Sequence, residues 1–404
     1  MRPWRSPYPK FGDGPGLERV GAVARRLGVD LACFGKNGAV IVGSNGKGST
    51  AAMTSALLQQ TGKSVALFTS PHLFDLNERF KVDGEDISDE DLDRHWRRVI
   101  AAIETEQLGA KVGGFEFLFL IAADWFAERN CAHTVWEAGL GGRLDPVRLI
   151  QARRLALTSL DLEHTALLGD TLEAIAREKI DAAPSGALLF APEAIAARTA
   201  IEAHCSLRAV SLQFAAPRDS APLAGAHQRA NAALAEALAR DIAPITDEHV
   251  RAGFAATQWP GRLEIIEAAP LVVIDVGHTP DAIRASLEGF IALRERRRGV
   301  LVCGVSYDKS AAELIGLLAP AFDAIICAAA AHKGAPAAEI AAHAAAANAN
   351  AEIAIAESVA EARRLALAKA KSAETAIYVA GGLFLAAEFR AVHQGRDPAS
   401  LAFF

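Results

Sequence analysis

The sequence has few cysteines and no paired cysteine motif. Its 404 residues contain five cysteines, widely spaced and without a C-x-x-C pair: Cys33, Cys131, Cys205, Cys303 and Cys327. An odd number at such spacing argues against a disulfide framework and predicts free thiols in a reducing compartment. No cysteine is paired by sequence with a histidine in a way that suggests a thiol nucleophile.

Long apolar runs and an excess of one charge are also missing. No stretch is long enough to span a bilayer, and residues 1–5 lack the apolar core of a signal peptide. The net charge of -6 and the pI of about 6.0 give no general attraction for nucleic acid or an anionic membrane. With 51% hydrophobic and 22% charged residues, the chain can bury a sizeable core. These features predict a cytoplasmic soluble enzyme.

What the sequence does contain is an alternation of strand and helix patterns. After an irregular arm at 1–16, apolar periodicity and turn residues predict strands at 39–42, 64–68, 133–137, 155–160, 271–276, 299–303, 323–327, 352–355 and 376–380. Helices are predicted at 17–27, 51–60, 88–107, 115–126, 170–180 and 250–257, after His227, and after Pro280, Ser310, Pro336 and Ser358. A strand–helix–strand unit is predicted at 187–212. This alternation predicts an α/β protein with mostly parallel sheets, and the Pro260-Gly261 pair suggests domains at 1–262 and 263–404.

The segment Gly43-Ser44-Asn45-Gly46-Lys47-Gly48-Ser49-Thr50 stands between a predicted strand and a predicted helix. Glycines let backbone N–H groups approach an anion closely, and a helix N-terminus adds partial positive charge. The spacing is G-x-x-G-K-G-S rather than the common G-x-x-x-x-G-K-[ST], but the strand–loop–helix context is that of a phosphate-binding loop. Lys47 is expected on the outer phosphates, and Ser49 or Thr50 near Mg²⁺.

Polar side chains follow several other predicted strands. Thr69, Ser70 and His72 follow one strand, Glu137 ends the next, and His164 lies beyond a third. Since the carboxyl ends of parallel strands share one edge of a sheet, these groups are expected to converge with the phosphate loop. Glu137 has the chemistry of a Mg²⁺ ligand. In the second part, polar residues again follow strands: Asp275, Gly277, His278, Asp308 and Lys309.

Together these motifs resemble bacterial folylpolyglutamate synthase/dihydrofolate synthase of the Mur ligase superfamily. The matching segments are GSNGKGST (43–50), TSPHL (69–73), NERFKVDGEDIS (77–88), EAGLGGRLD (137–145), SLDLEHTALLGDTLEAIAREK (159–179), HQRANAALA (227–235), PGRLEII (260–266), DVGHTP (275–280), GVSYDK (304–309) and GGLFL (381–385). They occur in family order along the whole chain. The resemblance implies a P-loop ATPase domain with a central, mostly parallel sheet, followed by a smaller Rossmann-like domain, with ATP held between them.

The resemblance also implies roles for individual residues. ATP would be bound by Gly43, Asn45, Gly46, Lys47, Gly48, Ser49, Asn231, Arg262 and Asp275. Magnesium would be bound by Ser70, Glu137, His164 and Lys179, with Lys179 carbamylated so that it offers a carboxylate-like ligand. Lys47, His164, Lys179 and His278 would take part in catalysis.

The implied reaction joins L-glutamate to dihydropteroate or tetrahydrofolate in a monomeric enzyme that uses ATP and one or two Mg²⁺. The acceptor carboxylate takes the γ-phosphoryl group, and the glutamate amine then displaces phosphate. This chemistry needs positioning and positive charge rather than a nucleophilic side chain. Two alternatives stay open: a ligase of the same superfamily with another carboxylate acceptor, and a non-catalytic nucleotide-binding homologue.

The departures from the family pattern fall near the expected acceptor. The usual D-A-T-N is Asp145-Pro146-Val147-Arg148, which places a stiff Pro and a charge near the expected pterin pocket. Arg143, Asp145 and Arg148 are therefore the candidate substrate-binding residues. Gly277 and Thr279 replace the Ala and Asn that usually flank His278, and Ile180-Asp181-Ala182 replaces the Ala-Gly-Ile that usually follows Lys179.

Overall fold

The structure is a computed structural model that describes residues 4–370 and 374–403; the start of the predicted N-terminal arm, residues 1–3, lies outside the described residues. The chain forms two sheets with helices on their faces. The first part contains strands β1 (Gly38–Val42), β2 (Val65–Phe68), β3 (Phe80–Val82), β4 (Glu85–Asp86), β5 (His133–Glu137), β6 (Arg154–Leu157), β7 (Leu188–Pro192) and β8 (Ser211–Ala215). Its helices are α1 (Leu17–Leu27), α2 (Lys47–Gln59), α3 (Asp89–Thr105), α4 (Gly114–Glu128), α5 (Thr165–Leu168), α6 (Leu172–Ile180), α7 (Arg198–Leu207), α8 (Gln228–Ile242) and α9 (Asp247–Ala256).

The first sheet has the order β4-β3-β2-β5-β1-β6-β7-β8 and is parallel apart from β3 and β4. Strand β1 lies between β5 and β6, and all five of its residues are buried. Successive side chains of a strand point to opposite faces, so a strand covered on both faces must be apolar throughout. Val40 and Val42 pack with α1, α3 and α4, whereas Ala39 and Ile41 pack with α2, α8 and α9. The centre of this sheet therefore fixes the position of the loop that follows β1.

The second part has strands β9 (Glu264–Ala268), β10 (Leu271–Ile274), β11 (Arg298–Cys303), β12 (Ala324–Cys327), β13 (Glu352–Ile355) and β14 (Thr375–Ala380). Its helices are α10 (Pro280–Arg294), α11 (Ala311–Leu318), α12 (Ala337–Ala347), α13 (Val359–Lys369) and α14 (Leu383–His393). The order is β13-β12-β11-β14-β10-β9, with β9 antiparallel to β10 and the others parallel. The predicted boundary at residue 262 falls between the two sheets, although the division into two domains stays a prediction.

Most predicted elements are present, with three corrections. Helix α2 begins at Lys47 rather than at residue 51, so Gly48, Ser49 and Thr50 form its first turn. Strand β6 ends at Leu157 rather than at residue 160, and beyond this point the hydroxyls of Thr158 and Ser159 bind the carbonyl of Asn45. The sequence patterns missed β9 and α14, an edge strand and a largely buried helix.

Helix α14 and the residues after it pack against the first part of the chain. An apolar cluster joins Leu73 and Phe74 to Val276, Ala386 and Ala387, with Leu401 and Phe403 against it. Arg390 of α14 also donates to Glu264, next to the connection between the two sheets. Within the described part of the chain, no helix combines the length and hydropathy needed to cross a membrane.

Candidate active site

The loop between β1 and α2 is anchored to the end of β6. The N–H of Ser44 donates to the carbonyl of Ser159 (2.9 Å), and the N–H of Asn45 donates to the hydroxyl of Ser159 (2.9 Å). In return, the Asn45 carbonyl accepts hydrogen bonds from Thr158 Oγ1 (2.6 Å) and Ser159 Oγ (3.1 Å). The loop is therefore held by its neighbour before any ligand binds, and it leads directly into the N-terminus of α2.

Two glycines of this loop have backbone conformations that side chains disfavour. Gly43 has a φ of 146° and Gly46 a φ of 86°. A Cβ at Gly43 would lie 1.9 Å from Thr158 Oγ1, and one at Gly46 would lie 2.5 Å from Oδ1 of Asn231. Both positions thus require glycine for conformation and for space. The predicted nucleotide-binding residues Gly46 and Asn231 lie in contact.

The carbonyl of Gly43 accepts hydrogen bonds from two lysines. Lys47 Nζ lies 2.9 Å from this oxygen and also binds the Ser44 carbonyl (3.1 Å), and Lys179 Nζ lies 3.0 Å from it. Lys179 is only 1% exposed and also donates to Oε1 of Glu163 (2.9 Å). Burial and the neighbouring Lys47 charge lower the pKa of Lys179, and Glu163 opposes this effect. The predicted catalytic lysines are therefore adjacent.

Glu137 ends β5, next to β1, and is buried. Its Oε2 accepts a hydrogen bond from the backbone N–H of Ser70 (2.9 Å), which connects two predicted metal ligands. Burial raises the pKa of Glu137, and the charges of Lys47, Arg262 and Arg79 oppose this rise, together with the Ser70 N–H. A carboxylate in this position is stabilised by nearby cations.

Asp275 connects the second sheet to the linker that precedes it. Its carboxylate accepts from the N–H groups of Leu263 (3.0 Å) and Gly277 (2.8 Å). Burial raises the pKa of Asp275, and the nearby charge of Arg262 opposes this. Thr279 Oγ1 lies 3.3 Å from Asn45 Oδ1 and donates to it. The segment that follows β10 thereby contacts the loop between β1 and α2.

The predicted substrate residues lie in the loop that follows β5. Asp145 is buried, and its carboxylate accepts from the N–H groups of Gly139, Leu140 and Val147 at 2.9–3.0 Å. Burial raises the pKa of Asp145 to about 6. Arg143 binds Glu178 (2.7 Å), and Arg148 donates to the Arg143 carbonyl (3.0 Å). Asp145 thus shapes the loop, while the two exposed or half-buried arginines form its outer surface; contact of any of the three with substrate stays a prediction.

The two predicted catalytic histidines are exposed. His164 has a φ of 45° and precedes the one-turn helix α5, one residue after Glu163. His278 Nδ1 lies 3.2 Å from the carbonyl oxygen of Val276. Neither is directly hydrogen-bonded to the lysines or to Glu137 among the described residues, so their roles in binding or catalysis stay predictions.

The donor set fits a cation that is shared with a nucleotide. Within residues 4–370 and 374–403, no three His, Cys, Asp or Glu residues form a cluster suited to a metal ion. Mg²⁺ commonly takes one or two protein oxygens and completes its shell with phosphates and water. Glu137 is a buried carboxylate whose Oε1 accepts no hydrogen bond from the described residues, and the half-buried Ser70 is adjacent. These oxygens suit a cation of that kind.

Sequence reasoning missed several residues of this region. Glu163, the partner of Lys179, lies within the segment 159–179 that resembles the family, but it was assigned no role. Its position next to His164 is the sequence feature that could have indicated one. Thr158 and Ser159 were assigned to a strand. Arg79 is buried and donates to His72 Nδ1 (2.9 Å), and Gln228 Nε2 lies 3.3 Å from Ser49 Oγ. No local pattern indicates the contact of Gln228 with Ser49, because the two residues lie 179 positions apart.

Comparison with known families gives one match within the chain. Residues 261–383 match the family described as Mur ligase, glutamate ligase domain. A probable bifunctional folylpolyglutamate synthase/dihydropteroate synthase of Halobacterium salinarum is 33% identical over 331 residues. That alignment covers 74% of this chain but 40% of the archaeal protein. The chain thus spans less than half the length of this relative.

Solved structures match over nearly the full chain. The structure of Escherichia coli FolC in complex with DHPP and ADP has a TM-score of 0.84 and 27% identity, and the match covers 94% of this chain and 93% of that one. A bifunctional folylpolyglutamate synthase/dihydrofolate synthase with Mn, AMPPNP and L-glutamate bound has a TM-score of 0.84 and 27% identity, with 95% of both chains covered. The predicted fold, two α/β parts with mostly parallel sheets, is confirmed.

Proposed function

Because this chain belongs to the Mur ligase superfamily, we propose that it is an ATP-dependent ligase that joins L-glutamate to dihydropteroate or to a folate. The observation that carries the proposal is the arrangement around the Gly43 carbonyl. Lys47 and Lys179 meet there, between a glycine-rich loop and the buried carboxylate of Glu137. The ammonium of Lys47 beside a glycine-rich loop at a helix N-terminus suits polyphosphate.

In the proposed reaction the phosphates of ATP lie on the loop from Gly43 to Thr50. An oxygen of the acceptor carboxylate attacks the γ-phosphorus, ADP leaves, and an acyl phosphate forms. The amino group of glutamate then attacks the acyl carbon, phosphate leaves, and the amine loses a proton as the amide forms. Lys47 would hold the transferring phosphoryl group, since its ammonium is already directed at the loop.

A divalent cation would neutralise charge on the phosphates when it is bound. Glu137 and Ser70 would hold it, with His164 at the rim, and Mg²⁺ is the ion that we propose. The solved relative with AMPPNP contains Mn. We also propose that Lys179 is carbamylated, because its lowered pKa favours the neutral amine that reacts with CO₂. A ¹³C resonance that appears with ¹³CO₂ in the wild type but not in Lys179→Arg would support this; equal spectra would exclude it.

The test of function is glutamate-dependent release of ADP from the purified protein. We expect release with dihydropteroate or tetrahydrofolate, and a product heavier than the acceptor by one glutamate residue. Release of ADP with neither acceptor would refute the folate assignment. A panel of other carboxylates, read by product mass, would then identify a different acceptor within the same superfamily. Binding of ATP without turnover on the whole panel would indicate a non-catalytic homologue.

Lys47→Ala should abolish turnover, and Lys36→Ala is its matched control. Lys36 is exposed and lies two residues before the opposite end of β1, so its substitution removes the same charge without altering the loop. Turnover that persists in Lys47→Ala would exclude Lys47 from the reaction. Equal losses in both variants would indicate a nonspecific effect of charge.

The cytoplasmic location and the monomeric state belong to the same proposal. The five cysteines are all free thiols in the structure, which suits a reducing compartment. Sedimentation of the purified chain tests the oligomeric state.

A further inference from the structure

The last described residues of the chain pack on the loop that carries Ser70. We refer to residues 396–403 as the C-terminal tail. Arg396 binds both carboxylate oxygens of Asp75 (3.1 and 3.2 Å), a paired geometry that fixes orientation as well as distance. Leu401 and Phe403 pack against the apolar cluster that contains Leu73 and Phe74. The tail follows α14 of the second part, yet it contacts the first.

His72 forms the central contact between the tail and this loop. Its Nε2 lies 2.6 Å from the carbonyl oxygen of Ala402, and its ring stacks on Phe403 with 6° between the planes. Its Nδ1 lies 2.9 Å from Nε of Arg79, which is always a donor. Nδ1 must therefore accept, and the proton of the neutral ring lies on Nε2, which donates to Ala402.

The loop around His72 is fixed at three other points. The N–H of Thr69 donates to the Arg79 carbonyl (3.0 Å), and the N–H of Ser70 donates to Glu137. Farther along, the carboxylate of Glu78 accepts from the N–H groups of residues 73, 74 and 75 at 2.7–3.0 Å. Pro71 and His72 lie between the bonds at 69–70 and those at 73–75. The side chain of His72 is held by Arg79 from within the first part and by the tail from the second.

We propose that the C-terminal tail and His72 position Ser70 and Glu137, the two residues at the edge of the site where the cation would bind. By fixing the middle of the Ser70 loop, they hold the Ser70 hydroxyl and Glu137 at the separation that a nucleotide-bound cation requires. Partners behind metal ligands commonly control affinity in this way, by orienting ligands that they do not replace. The inference rests on the proposed function, because it assumes that the cation of a bound nucleotide meets this edge.

Four variants separate positioning from general stability. His72→Phe keeps a ring against Phe403 but loses both hydrogen bonds, whereas His72→Gln retains one donor and one acceptor. A chain that ends at Asp397 lacks the Ala402 carbonyl. The control is His133→Phe, since His133 is also buried, lies 3.3 Å from a backbone carbonyl oxygen, and begins the strand that ends in Glu137.

The first readout is Mn²⁺ binding to the ADP complex, followed by the electron paramagnetic resonance signal of free Mn²⁺. We expect His72→Phe and the shortened chain to weaken Mn²⁺ binding roughly 10- to 100-fold. His72→Gln should recover most of the affinity, His133→Phe should resemble the wild type, and ADP affinity without metal should be unchanged. Wild-type Mn²⁺ affinity in both His72→Phe and the shortened chain, or an equal loss in His133→Phe, would overturn the inference.

The second readout needs no metal and is hydrogen–deuterium exchange of the peptide that covers residues 69–76. The amides of Ser70 and of residues 73–75 are hydrogen-bonded in the intact loop, so loss of tail contacts should accelerate their exchange. Unchanged exchange in His72→Phe and in the shortened chain would refute positioning, whatever the metal data show. Failure of the wild type to bind Mn²⁺ with ADP would instead refute the proposed function, while the exchange data would still decide the role of the tail.

Discussion

Gly46→Ala gives the most direct test of how the phosphate loop is built. The substitution forces a side chain into a left-handed conformation at a φ of 86°. That strain amounts to about 1–2 kcal/mol for a residue other than glycine. The new Cβ would also lie 2.5 Å from Asn231 Oδ1 and 2.9 Å from Nδ2, well inside ordinary contact at 3.4–4 Å. The backbone strain and the steric clash should therefore both reduce the free energy of unfolding.

The side chain of Asn231 cannot move far enough to avoid this clash without loss of a hydrogen bond. It is 6% exposed, and its Nδ2 donates to Oε1 of Gln228 (2.9 Å), so a retreat of about an ångström breaks a buried hydrogen bond. Overpacking of this kind destabilises by about 1–3 kcal/mol beyond the backbone strain. We expect Gly46→Ala to lower the free energy of unfolding by about 2–5 kcal/mol in total.

Gly62→Ala is the matched control, because it isolates the strain. Gly62 lies just beyond the other end of α2, has a φ of 69°, and has open space where its Cβ would be. Its substitution should lower the free energy of unfolding by about 1–2 kcal/mol and leave ADP affinity unchanged. Gly46→Ala should weaken ADP binding by more than about tenfold, since the loop that meets the phosphates is displaced.

Urea unfolding followed by tryptophan fluorescence measures both variants. All five tryptophans lie between residues 4 and 259, so the signal reports on the first part of the chain. The double variant Gly46→Ala/Asn231→Ala should show a favourable coupling of about 1 kcal/mol or more, because the collision is removed. Equal stabilities of Gly46→Ala and Gly62→Ala, with no coupling to residue 231, would refute the steric argument.

Three further predictions concern buried charges. Because burial raises the pKa of Asp145 from 3.8 to about 6, its contribution to stability is complete below pH 3.8 and is lost as the pH rises through 6. Between about pH 4 and pH 7 the free energy of unfolding of the wild type should thus fall by about 3 kcal/mol relative to that of Asp145→Asn. A difference in urea midpoints that does not change with pH would contradict this. In CO₂-free buffer, where Lys179 keeps its unmodified ammonium, Glu163→Gln should lower the free energy of unfolding by about 3 kcal/mol, since Lys179 is left buried without its carboxylate. Glu163→Gln/Lys179→Met should recover most of that loss; a double variant no more stable than Glu163→Gln would show that the pair is not the cause. Glu137→Gln can still accept from the Ser70 N–H but lacks the negative charge. Mn²⁺ binding to the ADP complex should therefore weaken by about tenfold or more, while ADP binding without metal persists. Unaltered Mn²⁺ affinity would show that Glu137 does not bind the cation.

Local patterns predicted the elements whose residues bury a clear face. Helix α1 and strand β5 have the predicted bounds because their apolar residues recur at helical spacing or are buried along the whole strand. The strand–loop–helix arrangement at 43–50 was also predictable, because its glycines, lysine and flanking elements are consecutive in the chain. These features depend on neighbours in sequence, so the sequence alone contains them.

Features that depend on distant partners were not predictable in this way. The hydroxyls of Thr158 and Ser159, just after β6, bind the carbonyl of Asn45, more than a hundred residues earlier. Glu163 acquires its significance from Lys179, across two helices. Helix α14 has an apolar surface covered from several sides, which weakens the periodic signal. His72 resembled a turn residue, because its partner Ala402 lies 330 positions away.

Strand register at the centre of the first sheet has a consequence for natural variation in chain length. Ile41 is paired with Glu137 and Val42 with Leu157. The loop that begins at Gly43, the Glu137 carboxylate and Thr158 therefore lie at the same level along the strands. A single-residue insertion or deletion within any of these three strands would invert the inward and outward faces and shift one site residue relative to the other two. Homologues should therefore differ in length at surface connections such as 216–224, and keep the lengths of β1, β5 and β6 constant.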